Sequence, residues 1–510
     1  MQQQYIIGTD IGTTGAKTTV FSMDGKVVSS AYREYTCDYP RPLWVEQDAI
    51  VLRDSAMQTI KEALHKASAP PESIVSIGFS TQRSCALFLD GNGVPLKMIS
   101  WQDSRCDEIL DRIRDVTSEE EFYKLSGLPL GNTWVLPKIM WIRENDAELY
   151  RKTVRIVQLH DYILKEFGAD EYVTPETDAG MTGFFDVDNY LWADNYLELF
   201  DIDKGMLPVV RQVGERIGTI SDAVADMTGL PRGLPLFTGI GDVSSAAVGA
   251  GIVSAGDLLV SMGTGGIMVV CTDKPMRDPN SAFLITDHAI HGMWQWEGLQ
   301  KGSAGCYRWY RDVIATDEKN ATEARGEDAY VELDKRAKEI PPGSNGLLVM
   351  PYFASAGTPR WDAWARGCIL GLTFAHDKYH IARAFMEGVA LEYRDMLESL
   401  RRSGFVPGAI SVSGGSAKSD VWNSIQADIY NTPVQTLAFP DASVLGAVIT
   451  CAVGAGVYGS IPEAVSELVK KGKTYEPDSE NARIYDDLYH AYVQAYEGLS
   501  QGAFKSLSAF

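Results

Sequence analysis

Cysteine is sparse in this chain of 510 residues, and its seven cysteines are scattered from Cys37 to Cys451 with no C-x-x-C pair. That pattern excludes a disulfide framework and the usual zinc sites, and it reads as a chain kept in a reducing cytoplasm. Cations are also short: 46 Lys and Arg stand against 68 Asp and Glu, a formal charge of −22. Such a surface repels phosphate backbones and anionic lipid, so neither nucleic acid nor membrane is an expected partner. No cationic, apolar leader opens the chain, because Met1-Gln2-Gln3-Gln4 runs straight into a strand-like segment. The longest apolar stretch, Val444 to Gly459, is rich in Gly and Ala and short for a bilayer. It reads as a buried helix and its turn. An anionic ligand would then be held in a small site by backbone amides and a few local cations.

The familiar phosphate motifs are missing as well. A P-loop needs Gly before its Lys, whereas Ala16 precedes Lys17, and Glu467 stands where Gly472-Lys473-Thr474 would require the first glycine. The dinucleotide fingerprint that Gly239-x-Gly241 begins ends in Ser244. Neither H-E-x-x-H nor G-x-S-x-G occurs.

What is present is a repeat. The length predicts at least two domains. Tyr5-Ile6-Ile7, Gly12-Thr13-Thr14-Gly15 and Thr18-Thr19-Val20-Phe21 predict strand, tight turn, strand, with a second turn at Asp24-Gly25. A helix follows from Ala49 to Ser68, then a strand from Val75 to Phe79. The pattern returns in Leu258 to Met262, Gly263-Thr264-Gly265-Gly266 and Ile267 to Val270, after a flexible stretch from Gly249 to Gly256. Two such hairpins could grip one polyphosphate, or be unrelated turns. Further on, Ile381, Phe385, Val389, Tyr393, Met396 and Leu400 mark the core face of a long helix. The strand Ile410 to Ser413 feeds Gly414-Gly415, and a helix begins near Asp420.

Chemistry gathers at three places. In the first hairpin, Gly12 and Gly15 let a phosphate approach the backbone, the Thr13 and Thr14 hydroxyls can donate, and Lys17 can add charge. Asp10, just before the turn, can hold Mg²⁺ through water. Leu236 to Asp242 is an apolar strand that runs into glycines and presents one carboxylate, followed by small residues suited to a packed helix. Asp242 there is either a helix N-cap or the base that takes the acceptor hydroxyl's proton in phosphoryl transfer.

These segments together resemble the FGGY carbohydrate kinases over nearly the whole chain. The opening Gly8-Thr9-Asp10-Ile11-Gly12-Thr13-Thr14 is similar to the family's first phosphate hairpin, and Trp101-Gln102-Asp103-Ser104-Arg105 to its W-x-D-x-R segment. Pro137-Lys138-Ile139-Met140-Trp141 carries the heart of one signature, though the residues before Pro137 depart from it. Gly367 to Leu372, His380-Ile381 and Ala384 to Glu387 fit a second signature. Gly414 to Ser419, then Trp422, Gln426, Asp428 and Pro433-Val434, resembles the nucleotide-side motif.

The resemblance implies an α/β chain of two ribonuclease-H-like, actin-like ATPase domains closing over a cleft. The expected N-terminal domain, 1–250, carries the sugar site and the base; the C-terminal domain, 251–510, binds the nucleotide. It implies Asp242 as catalytic base and Asp10 with Asp242 as water-mediated Mg²⁺ partners. ATP is expected at Thr13, Thr14, Lys17, Gly263, Thr264, Gly414, Gly415 and Ser419. The substrate is expected at Gln82, Arg83, Asp103 and Asp242, a guanidinium fork being suited to vicinal hydroxyls. Trp296 reads as core rather than a sugar platform. A homodimer is compatible with the family.

The branch of the family stays open. Gln82-Arg83 is similar to the glycerol kinase loop, but Ser84 replaces its glutamate and Thr133 its tyrosine. Xylulose kinases tend to Met-His at 83–84 and Asn after the base, where this chain has Val243; the autoinducer kinases share the Asp-Val pair. Trp44-Val45-Glu46-Gln47-Asp48 leans to the xylulose and gluconate branch. A small sugar or polyol, ketopentose-like, is the expected acceptor. An actin-like ATP-binding scaffold and a nicotinamide oxidoreductase are the alternatives.

Overall fold

A computed structural model describes residues 3–507. The chain divides into two compact units. The first comprises Met1–Val253, Cys271–Gln295 and Asp441–Lys470; the second comprises Ser254–Val270, Trp296–Pro440 and Lys471–Phe510. The two later segments, which a single cut at residue 250 assigns to the C-terminal half, return to the first unit.

In the first unit, β1 (Tyr5–Ile11) and β2 (Gly15–Ser22) form the expected antiparallel hairpin, paired from Tyr5 with Ser22 to Ile11 with Ala16. The strand β3 (Val27–Glu34) continues the meander, β4 (Ile74–Thr81) lies parallel to β1, and the short β5 (Ile240–Gly241) lies parallel to β4. The order is β5-β4-β1-β2-β3. The helix Ala49–Ala67 begins where Asp48 accepts from the amides of Ile50 and Val51, and it ends where Ser68 turns left-handed. Its buried residues, among them Leu52, Ala56, Ile60 and Ala63, join Ile7, Val20 and Ile77 in one apolar core.

A helix from far along the chain, Ala442–Gly454, completes this unit. It carries most of the apolar run at 444–459, and it is buried from Val444 to Ala452. No helix among the described residues is long and apolar enough to cross a membrane. The helix lies on β1 and β4 at two glycines. A Cβ on Gly8 would stand 2.5 Å from the Val444 carbonyl oxygen, and one on Gly78 would stand 2.0 Å from that of Ala447. It also crosses the helix Asp242–Gly249 at a second glycine pair. A Cβ on Gly249 would meet the Ala442 oxygen at 1.9 Å, and one on Gly446 the Ser245 oxygen at 2.0 Å. Here backbone meets backbone, which only glycine permits.

The second unit repeats the first unit's opening. Six strands of a seven-stranded sheet, β6 (Leu258–Met262), β7 (Gly266–Thr272), β8 (Trp294–Gln300), β9 (Ile410–Gly414), β10 (Val434–Leu437) and β11 (Lys471–Tyr475), run in the order β8-β7-β6-β9-β10-β11, the ends of β7 and β8 at 271–272 and 294–295 being counted to the first unit. The hairpin β6–β7 has β9 parallel to its first strand, just as β1–β2 has β4. The helix Lys378–Arg402 starts at an Asp377 cap and buries Phe385, Val389, Tyr393, Met396 and Leu400 as the periodicity predicts. Trp296 is 1% exposed and packs edge-on against Phe405, so it belongs to the core.

The glycine crossing predicts a defined effect. Gly446→Val should destabilise the protein by about 1–3 kcal/mol or more, because the Ser245 carbonyl cannot move aside without shifting its helix. A thermal midpoint that does not fall in this variant would contradict the crossing.

Candidate active site

The first hairpin turn is built for close approach. The Gly12 amide donates to the Gly15 carbonyl at 3.0 Å, and Tyr35 braces the turn through its hydroxyl on the Gly12 carbonyl at 2.6 Å. At Gly15 a Cβ would meet the ring of the exposed Tyr32, which would have to turn aside. The β4 strand delivers Gln82 and Arg83 beside this turn, with the Gln82 amide on the Ile11 carbonyl at 3.0 Å. The Thr13 hydroxyl is not free for a ligand. It donates to Gln82 Oε1 at 3.0 Å and accepts from Trp101 Nε1 at 2.9 Å. Lys17 is likewise engaged, its ammonium 2.5 Å from Asp441 Oδ2.

Asp10 lies near the end of β1, where it accepts from the Ser80 hydroxyl at 2.6 Å. Burial pushes its carboxyl up to about 6; the Ser80 bond opposes this, and the negative charge of Asp242 adds to it. Asp10 and Asp242, far apart in sequence, therefore sense one another's charge.

Asp242 is the first residue of its helix, not the N-cap, a position held by Gly241. Its Oδ1 accepts from the Val243 amide at 2.8 Å and stands 3.5 Å from Arg83 Nε. The Asp242 side chain is 38% exposed and that of Arg83 only 5%. The Arg83 stem occupies the space above Gly241, where a Cβ would meet its Cδ at 2.3 Å. Behind it lies Asp178, fully buried, with one oxygen lacking a partner. Burial holds the Asp178 carboxyl well above the usual range, Asp161 adds to this, and Arg83 opposes it.

Asp103, expected at the substrate, is fully buried and holds the wall together instead. It binds Arg105 through Nε, Nη2 and the backbone amide, and the Val45 amide at 2.6 Å, while Arg105 stacks 4.0 Å from Trp44. Sealed in this way, it has no open oxygen for a sugar.

Three residues absent from the expected site shape it. Trp101, 40% exposed, opens the Trp101–Arg105 motif that pointed here, and Gln47 lies in the Trp44–Asp48 segment. Lys138 is the third. Its buried ammonium donates to the carbonyls of Ser84, at 2.6 Å, and Thr133. Burial lowers it to about 8. Ser84 has φ of +60°, a left-handed conformation that a non-glycine residue holds only when its surroundings enforce it. Gln158 fixes the other side of the same residue, accepting from the Ser84 amide at 2.8 Å. Lys138 and Gln158 thus hold the residue that follows Arg83 in the chain.

In the second unit, the β6–β7 turn carries Gly263 and Thr264. The Gly263 amide bonds to Gly265 O at 2.9 Å, and the helix Ser303–Val313 approaches so closely that the Gly305 amide binds the Thr264 carbonyl at 3.1 Å. Gly414 has φ of +88°, and a Cβ there would lie 2.3 Å from the Met262 carbonyl oxygen. Gly415 borders open space, and Ser419 caps the helix Asp420–Tyr430 through the Trp422 amide at 3.0 Å. Asp10, Thr13, Thr14, Lys17, Gln82, Arg83 and Asp242 thus lie in the first unit, and Gly263, Thr264, Gly414, Gly415 and Ser419 in the second.

Two α/β units, each with a glycine-turn hairpin whose first strand pairs in parallel with a later strand, define the actin-like ATPase fold. More narrowly, residues 5–249 match the N-terminal domain and residues 258–455 the C-terminal domain of the FGGY family of carbohydrate kinases. The chain belongs to that family. It is 27% identical over 505 residues to a xylulose kinase of Staphylococcus epidermidis, covering 98% of each chain. It is 28% identical over 506 residues to an autoinducer-2 kinase of Escherichia coli, covering 97% of this chain and 94% of that one. Among solved structures, xylulose kinase from Rhodospirillum rubrum superposes with a TM-score of 0.88 at 28% identity, covering 98% of this chain and all of the other.

The Lys138 clamp makes a testable demand on catalysis. Lys138→Met should lower kcat/KM for the acceptor by on the order of tenfold to a hundredfold, through misplacement of Arg83, with a much smaller change in KM for ATP. Steady-state kinetics with each substrate varied in turn checks this, and equal losses for both would refute it.

Proposed function

We propose that this chain transfers the terminal phosphoryl of ATP to a hydroxyl of a small sugar or polyol, with Asp242 as general base. The observation that carries the reading is Asp242 itself: a half-exposed carboxylate at a helix N-terminus, with the Arg83 guanidinium 3.5 Å away. The helix N-terminus and the guanidinium both place positive charge beside the carboxylate that would take the proton. Asp242 takes the proton of the acceptor O–H as that oxygen bonds to the γ-phosphorus, the bond to the bridging oxygen breaks, and ADP departs. Arg83 orients neighbouring hydroxyls of the acceptor, with Gln82 beside it.

In this reading the 1–250 domain supplies the base and the acceptor site, with Gln82, Arg83 and Asp242 touching substrate and Asp103 bracing the wall behind them. The 251–510 domain supplies the nucleotide site at Gly263, Thr264, Gly414, Gly415 and Ser419, and Thr13 and Thr14 offer the first hairpin's backbone to the phosphates. Lys17 belongs with the Asp441 pair at the edge of that turn. Mg²⁺ fits the donors present, since the charge of Asp242 disfavours ionisation of Asp10 and a hydrated cation would relieve that repulsion. When bound, the ion neutralises charge on the phosphates. A ketopentose such as xylulose is the favoured acceptor because xylulose kinases recur among the relatives and the superposed structures. The enzyme acts in the cytoplasm, without nucleic acid or membrane, in keeping with a charge of −22.

Asp242→Asn should lower kcat by ~10²–10⁴-fold while nucleotide affinity stays close to that of the natural chain. Near-normal turnover in this variant would remove the base assignment. Thr264→Val should weaken ATP binding, and an unchanged Kd by calorimetry would remove the second hairpin from the nucleotide site. A coupled ADP-release screen over ketopentoses, polyols, gluconate and autoinducer-like diols identifies the acceptor. No turnover with any of them would overturn the functional reading.

A further inference from the structure

The hydrogen bonds at Thr13 continue past Gln82. Gln82 Nε2 donates to Gln47 Oε1 at 2.8 Å, and Gln47 Nε2 donates to the Thr13 carbonyl at 2.9 Å. With the Thr13 hydroxyl on Gln82 Oε1, the circuit closes on the residue from which it started. Trp101 is attached to it through Nε1 on the Thr13 hydroxyl. The direction of each bond is determined. The Thr13 carbonyl can only accept, so Gln47 must donate to it, Gln82 must donate to Gln47, and the Thr13 hydroxyl gives its hydrogen to Gln82; a flip of Gln47 would lose both of its bonds. Gln82 is 0% exposed and Gln47 5%, so water does not readily replace a broken member. In a closed ring of this kind each bond polarises the next, so the loss of one weakens the others.

The ring joins two functions. Thr13 lies on the turn assigned to the phosphates, and Gln82 is the neighbour of Arg83 on the acceptor side. Gln47 belongs to neither; it lies just before the helix Ala49–Ala67, with its backbone amide on the Met98 carbonyl at 3.3 Å. We propose that Gln47 is a positioning residue that couples nucleotide binding to acceptor binding, by tying the Thr13 peptide to the Gln82 side chain. A phosphate that draws the Thr13 turn into place also sets Gln82, and an acceptor that holds Gln82 also sets the turn. The coupling works equally in both directions, as linkage requires. This inference rests on the functional reading above, which places phosphates at the first hairpin and the acceptor at Gln82 and Arg83.

The test uses the full-length enzyme, Mg²⁺ with a non-hydrolysable ATP analogue, and D-xylulose or whichever sugar the ADP-release screen selects. Calorimetry gives the analogue's Kd with and without the sugar, and kinetics gives the sugar's KM at limiting and saturating ATP. The factor by which each ligand tightens the other should fall from ~10-fold in the natural chain to about onefold in Gln47→Met, which keeps the side chain's length and removes its hydrogen bonds. Affinities for each ligand alone should change far less, and the thermal midpoint should stay within about 5 °C, separating coupling from general damage. Gln47→Glu serves as a second variant if Gln47→Met does not fold. It can still accept from Gln82 but cannot donate to the Thr13 carbonyl, so it too should lose the coupling. Mutual tightening that survives in the variant, or its absence from an active natural chain, would overturn the proposal. Failure of the functional reading shows itself differently, as a natural chain that turns over no acceptor at all.

Discussion

Two helices packed at the distance of bare backbones set the geometry on which the candidate base depends. The helix Ala442–Gly454 rests on Gly8 and Gly78 of the sheet and on Gly249 of the helix that Asp242 begins, while its own Gly446 receives the Ser245 carbonyl. Such contacts leave no room for adjustment, because a carbonyl oxygen 2.0 Å from a would-be Cβ cannot rotate away as a side chain can. The same helix opens at Asp441, which holds Lys17. One element late in the chain thus fixes the base helix and steadies the turn beside it.

Around this frame the charged groups are arranged by cost. Arg83, nearly buried, is tolerable because Asp242 stands at its open side and Asp178 behind it. Among the described residues no carboxylate pairs with Lys138, and burial depresses it to about 8, yet its bond to the Ser84 carbonyl lies at a left-handed residue. A buried ammonium and a strained residue persist together where neighbouring structure enforces both, and here they lie next to Arg83.

Much of the fold was legible because it is local. The hairpins, the Asp48 and Asp377 caps and the buried stripe from Phe385 to Leu400 depend on residues a few positions apart, and period and turn chemistry report those directly. The candidate site was legible only in part. Asp10, Arg83 and Asp242 converge, but Asp103 was expected at the substrate and is sealed behind Arg105. Its motif marks a structural joint, and a carboxylate that binds a sugar looks the same in sequence as one that binds an arginine.

By itself, the sequence determined the class of chemistry: spaced glycine turns, a carboxylate ending a strand, and an acidic chain without a P-loop, all within the FGGY pattern. Only the tertiary structure decided what each polar group holds. Lys17 reads as a phosphate cation, and the structure sets Asp441, 424 positions away, at 2.5 Å from its ammonium. Thr13 reads as a phosphate donor, and the structure sets its hydroxyl on Gln82, while Gln47 reads as nothing until it closes the ring. Hydrogen-bond partners are chosen by proximity in space, and neither residue type nor spacing encodes that proximity once the partners lie on different elements.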